Sequence, residues 1–378
     1  MVWRCDRPFF LQTSAASCAA HCVGSFTLLR ITNAPWAAFL VGLSVVFAAG
    51  CSSDPTDSES ASDHGQNRGI VLLRCIPGSE SSEQREAGFL ETLESEFPDL
   101  LVISSNQYAG ATAETALEKA QQLLLRLGDR TTGIFCPNES SADGTFRALD
   151  EAGYLRRIPF VGFDPNPRMV AALEAGTMQG IVLQDPVRMG YLAVKTMAAH
   201  LDGKTVESCI STGQYLATPD NMHTEQMQRL LSPKLFSGDD FDPSDVKYTI
   251  AVIPKGTTHE FWKSVHYGVR QAAEELGNVA IFWKGPISEG DREGQINLVQ
   301  DFITRGVDGI CLAPLDSQAL LPVVKEARSE GIPTVIFDSD LADDGTEKVS
   351  YVATDNYAGG ALGARRLAEA IAQQASAR

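Results

Sequence analysis

The sequence predicts an α/β protein built as two open parallel-sheet lobes that face each other across a cleft. Three observations carry this. Short β-rich runs alternate with stretches of helical periodicity from Gly69 onward, the alternation restarts at Lys247, and the two stretches echo each other.

The first stretch contains "GIVLLRC", "LLVISSN", "GIFCPN", "IPFVGFD" and "GIVLQD", each followed by a segment of helical period. The second contains "KYTIAVIP", "VAIFWKG", "GICLAP", "TVIFDS" and "SYVATD". Strands this short and apolar, separated by helices, form parallel sheets covered on both faces. Between the stretches lies "SPKLFSGDDFDPSD" (232–245), whose Pro, Gly, Ser and Asp mark a linker. The echo is closest between "GIFCPNESSADGTFRALDEAGYLRRIPFVGFD" and "GICLAPLDSQALLPVVKEARSEGIPTVIFD", which share a strand, a Pro-marked turn, a helix and a second strand closing in Phe-Asp. Open α/β sheets bind ligands at the carboxyl ends of their strands, so two such lobes facing each other place a binding site between them.

Composition narrows the partners. The chain has 31 basic and 48 acidic residues, a formal charge of -17, and no Lys/Arg-rich block, which argues against nucleic acid and bare anionic membrane. Of eight cysteines, Cys5, Cys18, Cys22 and Cys51 lie in or at the end of the N-terminal segment. Cys75, Cys136, Cys209 and Cys311 remain, none in CxxC or at zinc spacing with His. They are expected as buried free thiols, with a Cys75–Cys136 bridge between neighbouring strands left open. No cofactor is implied.

Residues 34–50, "APWAAFLVGLSVVFAAG", are apolar and uncharged, follow Arg4, Arg7 and Arg30, and run into Cys51. The end "AAGC" resembles the lipobox of bacterial lipoprotein signals, with Ala48 where Leu is commoner. That resemblance implies a lipid on the Cys51 thiol and attachment to a membrane in the cell envelope or periplasm. The stretch is shorter than the roughly 20 residues of a comfortable membrane span. The following "SSDPTDSESASDHGQNR" is polar, acidic and aperiodic, and reads as a flexible tether.

From Gly69 the chain resembles the sugar-binding proteins of bacterial ABC transporters, the ribose-binding-like periplasmic class (periplasmic binding protein type I, two Rossmann-like lobes). The order differs. In that class a strand like "KYTIAVIPKGTTHEFW" opens the amino-terminal lobe, which passes "DGICLAPLDS" and "VIFDS" to reach "YVATDNYAGG"; a strand like "GIVLLRCIPGSESSEQREAGF" then opens the second lobe. Here the second element comes first, so the chain resembles a circular permutant, expected to be cut at the first interlobe crossover and to lack one hinge strand. The linker, at most about 45 Å long when extended, would tie the old carboxyl end to the old amino end. The expected organisation is a signal peptide over 1–50, an anchored Cys51 and tether over 51–68, the family's carboxy-terminal lobe over 69–231 with a return segment at about 185–207 in the other lobe, the linker, and the amino-terminal lobe over 246–378.

The resemblance also implies a site. A sugar presents a C–H face and a rim of hydroxyls, and needs aromatic plates and polar groups that donate and accept. Phe261 and Trp262 in "THEFW" match two stacking aromatics, and Asp338 matches a carboxylate that accepts from two hydroxyls. Ser339 stands where ribose binders often carry Arg, and Ala313 where an Asn contacts sugar, which points away from ribose. On the other lobe Arg85, Tyr108, Asn138, Phe163, Asp164 and Gln184 match. Asn138 and Asp164 precede helices, where such residues also cap. Falling together at strand ends of facing lobes, they point to a ligand. The expected partners are a small sugar and an ABC permease with its ATPase; a chemoreceptor or sensor kinase is an alternative receiver.

Other classes lack their motifs. There is no HExxH, GxSxG, Walker loop or phosphate-binding GxGxxG after a strand, so an enzyme is not expected; a sugar-processing enzyme with Asp338 and Asp164 facing each other as a glycosidase pair is the remote alternative. A sugar-responsive transcription regulator would need a helix-turn-helix where this chain has an export-like segment.

Overall fold

The computed structural model describes residues 68–342 and 347–377. The expected signal peptide, Cys51 and nearly all of the tether lie outside the described residues.

Strands form where the sequence is continuously apolar. The first lobe carries β1 (Gly69–Arg74), β2 (Val102–Tyr108), β3 (Thr131–Phe135), β4 (Phe160–Phe163) and β5 (Gly180–Leu183). Helices α1 (Glu80–Glu96), α2 (Ala113–Leu127), α3 (Glu139–Glu151) and α4 (Pro167–Glu174) connect them. Helix α5 (Pro186–Leu201) and β6 (Cys209–Ser211) follow, then β7 (Tyr215–Ala217) and α6 (Glu225–Leu231). The second lobe carries β8 (Tyr248–Ile253), β9 (Val279–Trp283), β10 (Gly309–Leu312), β11 (Thr334–Phe337) and β12 (Ser350–Ala353). Its helices are α7 (Glu260–Leu276), α8 (Arg292–Arg305) and α9 (Leu321–Ser329), and α10 (Asn356–Ser376) follows β12.

The two sheets are built alike. One runs β2-β1-β3-β4-β5-β7 and the other, read from the matching edge, β9-β8-β10-β11-β12-β6. All pairings are parallel except β5 with β7. Each sheet is buried on both faces. In the first lobe α2, α3, α4 and α6 pack on one face, and Phe89 of α1 with Ala364 and Leu367 of α10 on the other. In the second lobe α8 and α9 cover one face, α5 and α7 the other.

Two helices therefore cover the sheet they do not follow. Helix α5 leaves β5 and packs against α7, while α10 leaves β12 and packs against α1. Glycines permit it. A Cβ on Gly360 would collide with the Arg85 carbonyl, and one on Gly88 with that of Tyr357; Gly190 meets Val265 and Gly268 meets Val187 in the same reciprocal way. The backbones of α10 and α1, and of α5 and α7, touch directly because neither has a side chain at the crossing.

This corrects the expected organisation. The strands after 246 belong to the second lobe, but α10 lies on the first. The excursion of the first half into the second lobe extends from α5 through Ser211. No interlobe connection is missing: the chain crosses at β5–α5, β6–β7 and β12–α10. Thr212 and Thr354 lie side by side at the last two, with hydroxyls 3.4 Å apart. The linker is a fourth connection, and it is held in place. Phe236 stacks on His266 at 3.6 Å, His266 stacks on Trp283 at 4.2 Å, and Asp240 lies 2.7 Å from His266 Nε2.

Cys75, Cys136 and Cys311 are buried free thiols, so Cys75 and Cys136 are not bridged. Burial pushes the Cys75 and Cys136 thiols up to about 12, which leaves them unreactive. Among the described residues no helix is long and apolar enough to cross a membrane.

Replacing Gly360 or Gly268 by Ala is expected to cost about 1–3 kcal/mol by forcing these helix pairs apart. Gly290→Ala, where an added Cβ meets nothing closer than 3.5 Å, should change stability by less than about 0.5 kcal/mol. Urea unfolding of the three variants checks both expectations.

Candidate functional site

Two aspartates at matching positions begin the site. Asp164 follows β4 and Asp338 follows β11, and both adopt φ of 63°. A left-handed backbone is uncommon for a residue with a side chain and clusters at functional sites. Each is fixed by its neighbouring strand: Asp164 N donates to Val182 O at 2.9 Å and Asp338 N to Val352 O at 3.1 Å. The turn aims both carboxylates into the cleft.

Around Asp164 the first lobe supplies Arg85 and Gln184. The Arg85 guanidinium lies 4.0 Å from the Phe163 ring centroid and 3.8 Å from Asp164 Oδ2. Its Nε donates to Asn356 Oδ1 at 2.8 Å and its Nη1 to Pro137 O at 3.0 Å. Asn356 in turn donates to Asp338 O at 3.3 Å, joining the two halves of the site. Gln184 Nε2 donates to both Asp164 oxygens, at 3.0 and 3.2 Å. After these bonds Arg85 Nη2 and Gln184 Oε1 remain buried without a partner. Burial pushes Asp164 up to about 6, against the pull of Arg85.

Around Asp338 the second lobe supplies Lys255, two residues beyond the end of β8. Its Nζ is 2.7 Å from Asp338 Oδ2, 2.6 Å from Ser339 Oγ, 3.0 Å from Ser81 Oγ and 3.3 Å from Ser79 Oγ. Both Ser79 and Ser81 sit at the start of α1, so one ammonium ties the lobes together. Deeper in the second lobe, Glu289 accepts from Trp262 Nε1 at 2.6 Å and faces His259 Nδ1 at 3.1 Å. Burial opposes charge on both partners, but their mutual attraction prevails: Glu289 is held down at about 2 and His259 is raised to about 9.

Two further glutamates reach across the cleft. Glu139, at the start of α3, accepts from Phe261 N at 3.3 Å, and Glu80, at the start of α1, accepts from Asp340 N at 3.1 Å. Burial pushes each up to about 7.

Ser79, Ser81, Arg85, Glu139, Asp164, Gln184, Lys255, His259, Trp262, Glu289 and Asp338 line a cavity of about 30 Å³ between the lobes, which a ligand larger than water fills only with the lobes further apart. Of the residues singled out from sequence, Arg85, Asn138, Asp164, Gln184, Phe261, Trp262 and Asp338 line it. Phe163 instead backs the Arg85 guanidinium, and Ser339 is fully buried beneath Lys255. Tyr108 does not belong to it. It ends the edge strand β2, is 38% exposed, and turns its ring towards Arg74. Sequence reasoning missed Lys255, His259, Glu289, Glu139 and the serines at 79, 81 and 82. Lys255 carried a signal, a lysine just past the proline that follows the buried run Ile250–Ile253; Glu289 carried none.

Two parallel-sheet lobes facing each other across a polar cleft and joined by several crossing segments are the architecture of the family whose model matches this chain. The chain belongs to the periplasmic binding protein domain family, whose model matches residues 60–205 and 250–377. It is 34% identical over 119 residues to the D-allose-binding periplasmic protein of Escherichia coli, a match covering 30% of this chain and 38% of that protein. It is 30% identical over 146 residues to the ribose import binding protein of Haemophilus influenzae, covering 39% of this chain and 48% of the relative. The chain thus spans less than half the length of these relatives. In fold it is similar to an ABC transporter solute binding protein from Agrobacterium vitis solved with D-fucose, with TM-score 0.55, 14% identity, and coverage of 81% of this chain and 90% of that one.

Opening the lobes would expose Glu80 and Glu139 and return them towards the ordinary range near 4.5. Their values are higher in the closed form, so closure takes up protons; the penalty on closing is absent well below about 4.5 and complete above about 7. The closed fraction, read from interlobe spin-label distances, is expected to fall between about pH 5 and pH 8, and the double variant Glu80→Gln, Glu139→Gln to flatten the profile.

Proposed function

We propose that the protein captures a small neutral sugar in the interlobe cavity and presents it to an ABC permease and its ATPase. One observation carries the sugar reading: Arg85 Nη2 and Gln184 Oε1 are buried at the cavity with no partner. One is a donor and the other an acceptor, both flank Asp164, and a hydroxyl both accepts and donates. A ligand bearing several hydroxyls satisfies them and offers a C–H face to Phe261 and Trp262.

The charges favour a neutral ligand. Arg85 pairs with Asp164, Lys255 with Asp338 and His259 with Glu289. A free anion would find no uncommitted cation in this cavity. Asp164, Asp338 and Glu289 are engaged in ion pairs, which favours binding over catalysis. The names of the relatives, which concern allose and ribose, support the sugar class; the family name supports a periplasmic location, and "AAGC" at Cys51 supports a lipid anchor there.

The permuted order belongs to the same reading. Helix α10 packs on the first lobe, and its Gln374 donates to the carbonyls of Arg156 and Arg157, just ahead of β4. It packs along β3, β4 and β5 of the sheet that contains β1, so α10 followed by β1 would be a helix-to-strand step within one lobe.

Two measurements test this. A bound sugar at a hundred times its dissociation constant should stabilise the protein by about 2.7 kcal/mol, and Arg85→Lys should weaken that sugar's binding by about 1.5–3 kcal/mol. Thermal unfolding with a panel of pentoses and hexoses, followed by titration calorimetry, gives both. A chain rejoined from 377 to 68 and opened within 232–245 is expected to bind the same sugar with similar affinity; a rejoined chain that fails to fold counts against the permuted order.

A further inference from the structure

The inner cavity has a neighbour. Glu139 and His259, which line it, also border a second cavity of about 350 Å³ between the same two lobes. On the first lobe this outer cavity is bounded by the loop from Ala111 to Glu114, by Asp143 in α3, and by Asn166 ahead of α4. On the second lobe it is bounded by Thr258 and by Ile287 in the loop after β9. Like the inner cavity, it lies at the carboxyl ends of the strands.

We propose that the outer cavity is a second subsite and that the ligand is a glycosidically extended neutral sugar, a disaccharide or glycoside with one unit in each cavity. This rests on the sugar reading above. The lining decides the chemistry of the outer unit. Glu114, Glu139 and Asp143 bring carboxylates to it, while the nearby arginines are already engaged, Arg168 with Asp143 at 2.7 Å and Arg147 with Glu114 at 3.6 Å. His259 is committed to Glu289. A phosphate or uronate would meet repulsion there with no cation to offset it, whereas hydroxyls can donate to the carboxylates. Ile287 is 76% exposed, and its loop is tied back by Thr258 Oγ1, which donates to Ile287 O at 3.4 Å. A large apolar side chain at the rim of a polar cavity gives the C–H face of an outer ring a surface to cover.

The test is titration calorimetry of the purified protein with neutral monosaccharides, their methyl glycosides, and disaccharides containing them. A disaccharide is expected to bind about tenfold or more tighter than its inner monosaccharide. Ile287→Glu, a change at an exposed position, should erase that gain while monosaccharide affinity stays within about twofold; Ala111→Phe, which fills the outer cavity, should do the same. Monosaccharide binding with no gain from any extension, or a gain that survives both variants, would overturn the second subsite alone. Absence of binding by every sugar in the set would overturn the sugar reading and the subsite with it.

Discussion

The structure depends on two places where helix backbones touch. Helix α10 lies against α1 and α5 against α7, each pair meeting through reciprocal glycines with no side chain between. In each pair one helix has crossed over from the other lobe. Neither sheet is covered on both faces by its own succession of helices, so each lobe is completed by a segment from its partner. The same contacts set the site. Helix α1 carries Arg85 and helix α7 carries Phe261 and Trp262, and the depth at which these side chains enter the cleft follows from how closely their helices are held.

The cavity walls contain more charge than a sugar site requires, and it is almost all used internally. Burying ions costs several kcal/mol each unless they are paired and hydrogen-bonded. Lys255 with Asp338, and His259 with Glu289, meet that condition with additional bonds from serines and from the Trp262 indole. Among the described residues lining the cavity, the buried side-chain atoms without a partner are Arg85 Nη2 and Gln184 Oε1. Orientation of a ligand therefore falls on neutral polar atoms, backed by a charged scaffold whose geometry is already fixed.

Much of the fold was legible because buried parallel strands are written as unbroken apolar runs, and each of the ten quoted runs contains a strand. Asp164 and Asp338 were legible as well, since the two halves repeat the Phe-Asp ending. What sequence pattern could not convey was which sheet a helix covers. The "YAGGALGARR" segment has the period of a helix after β12, and nothing local says that Gly360 will meet Arg85 rather than a residue of its own lobe. Lys255 and Glu289 were obscured for a related reason: their partners, Ser81 and Trp262, lie far away in sequence. Tyr108 shows the converse, a residue at a matching position on an edge strand whose side chain turns outward.

The order of the elements also bears on how the chain is made. Helix α10 follows every other described element in sequence, yet it covers a face of the first sheet, where Phe89, Phe135 and Phe163 are fully buried. The last strand of that sheet, β7, ends at Ala217, so at about 5–20 residues per second the ribosome needs roughly 8–32 s more to supply helix α10. During that interval one apolar face of the first sheet is covered by α1 alone. Vectorial synthesis thus leaves the first-made lobe waiting for α10, whereas the second lobe has α5 in hand before its own strands β8 to β12 are made.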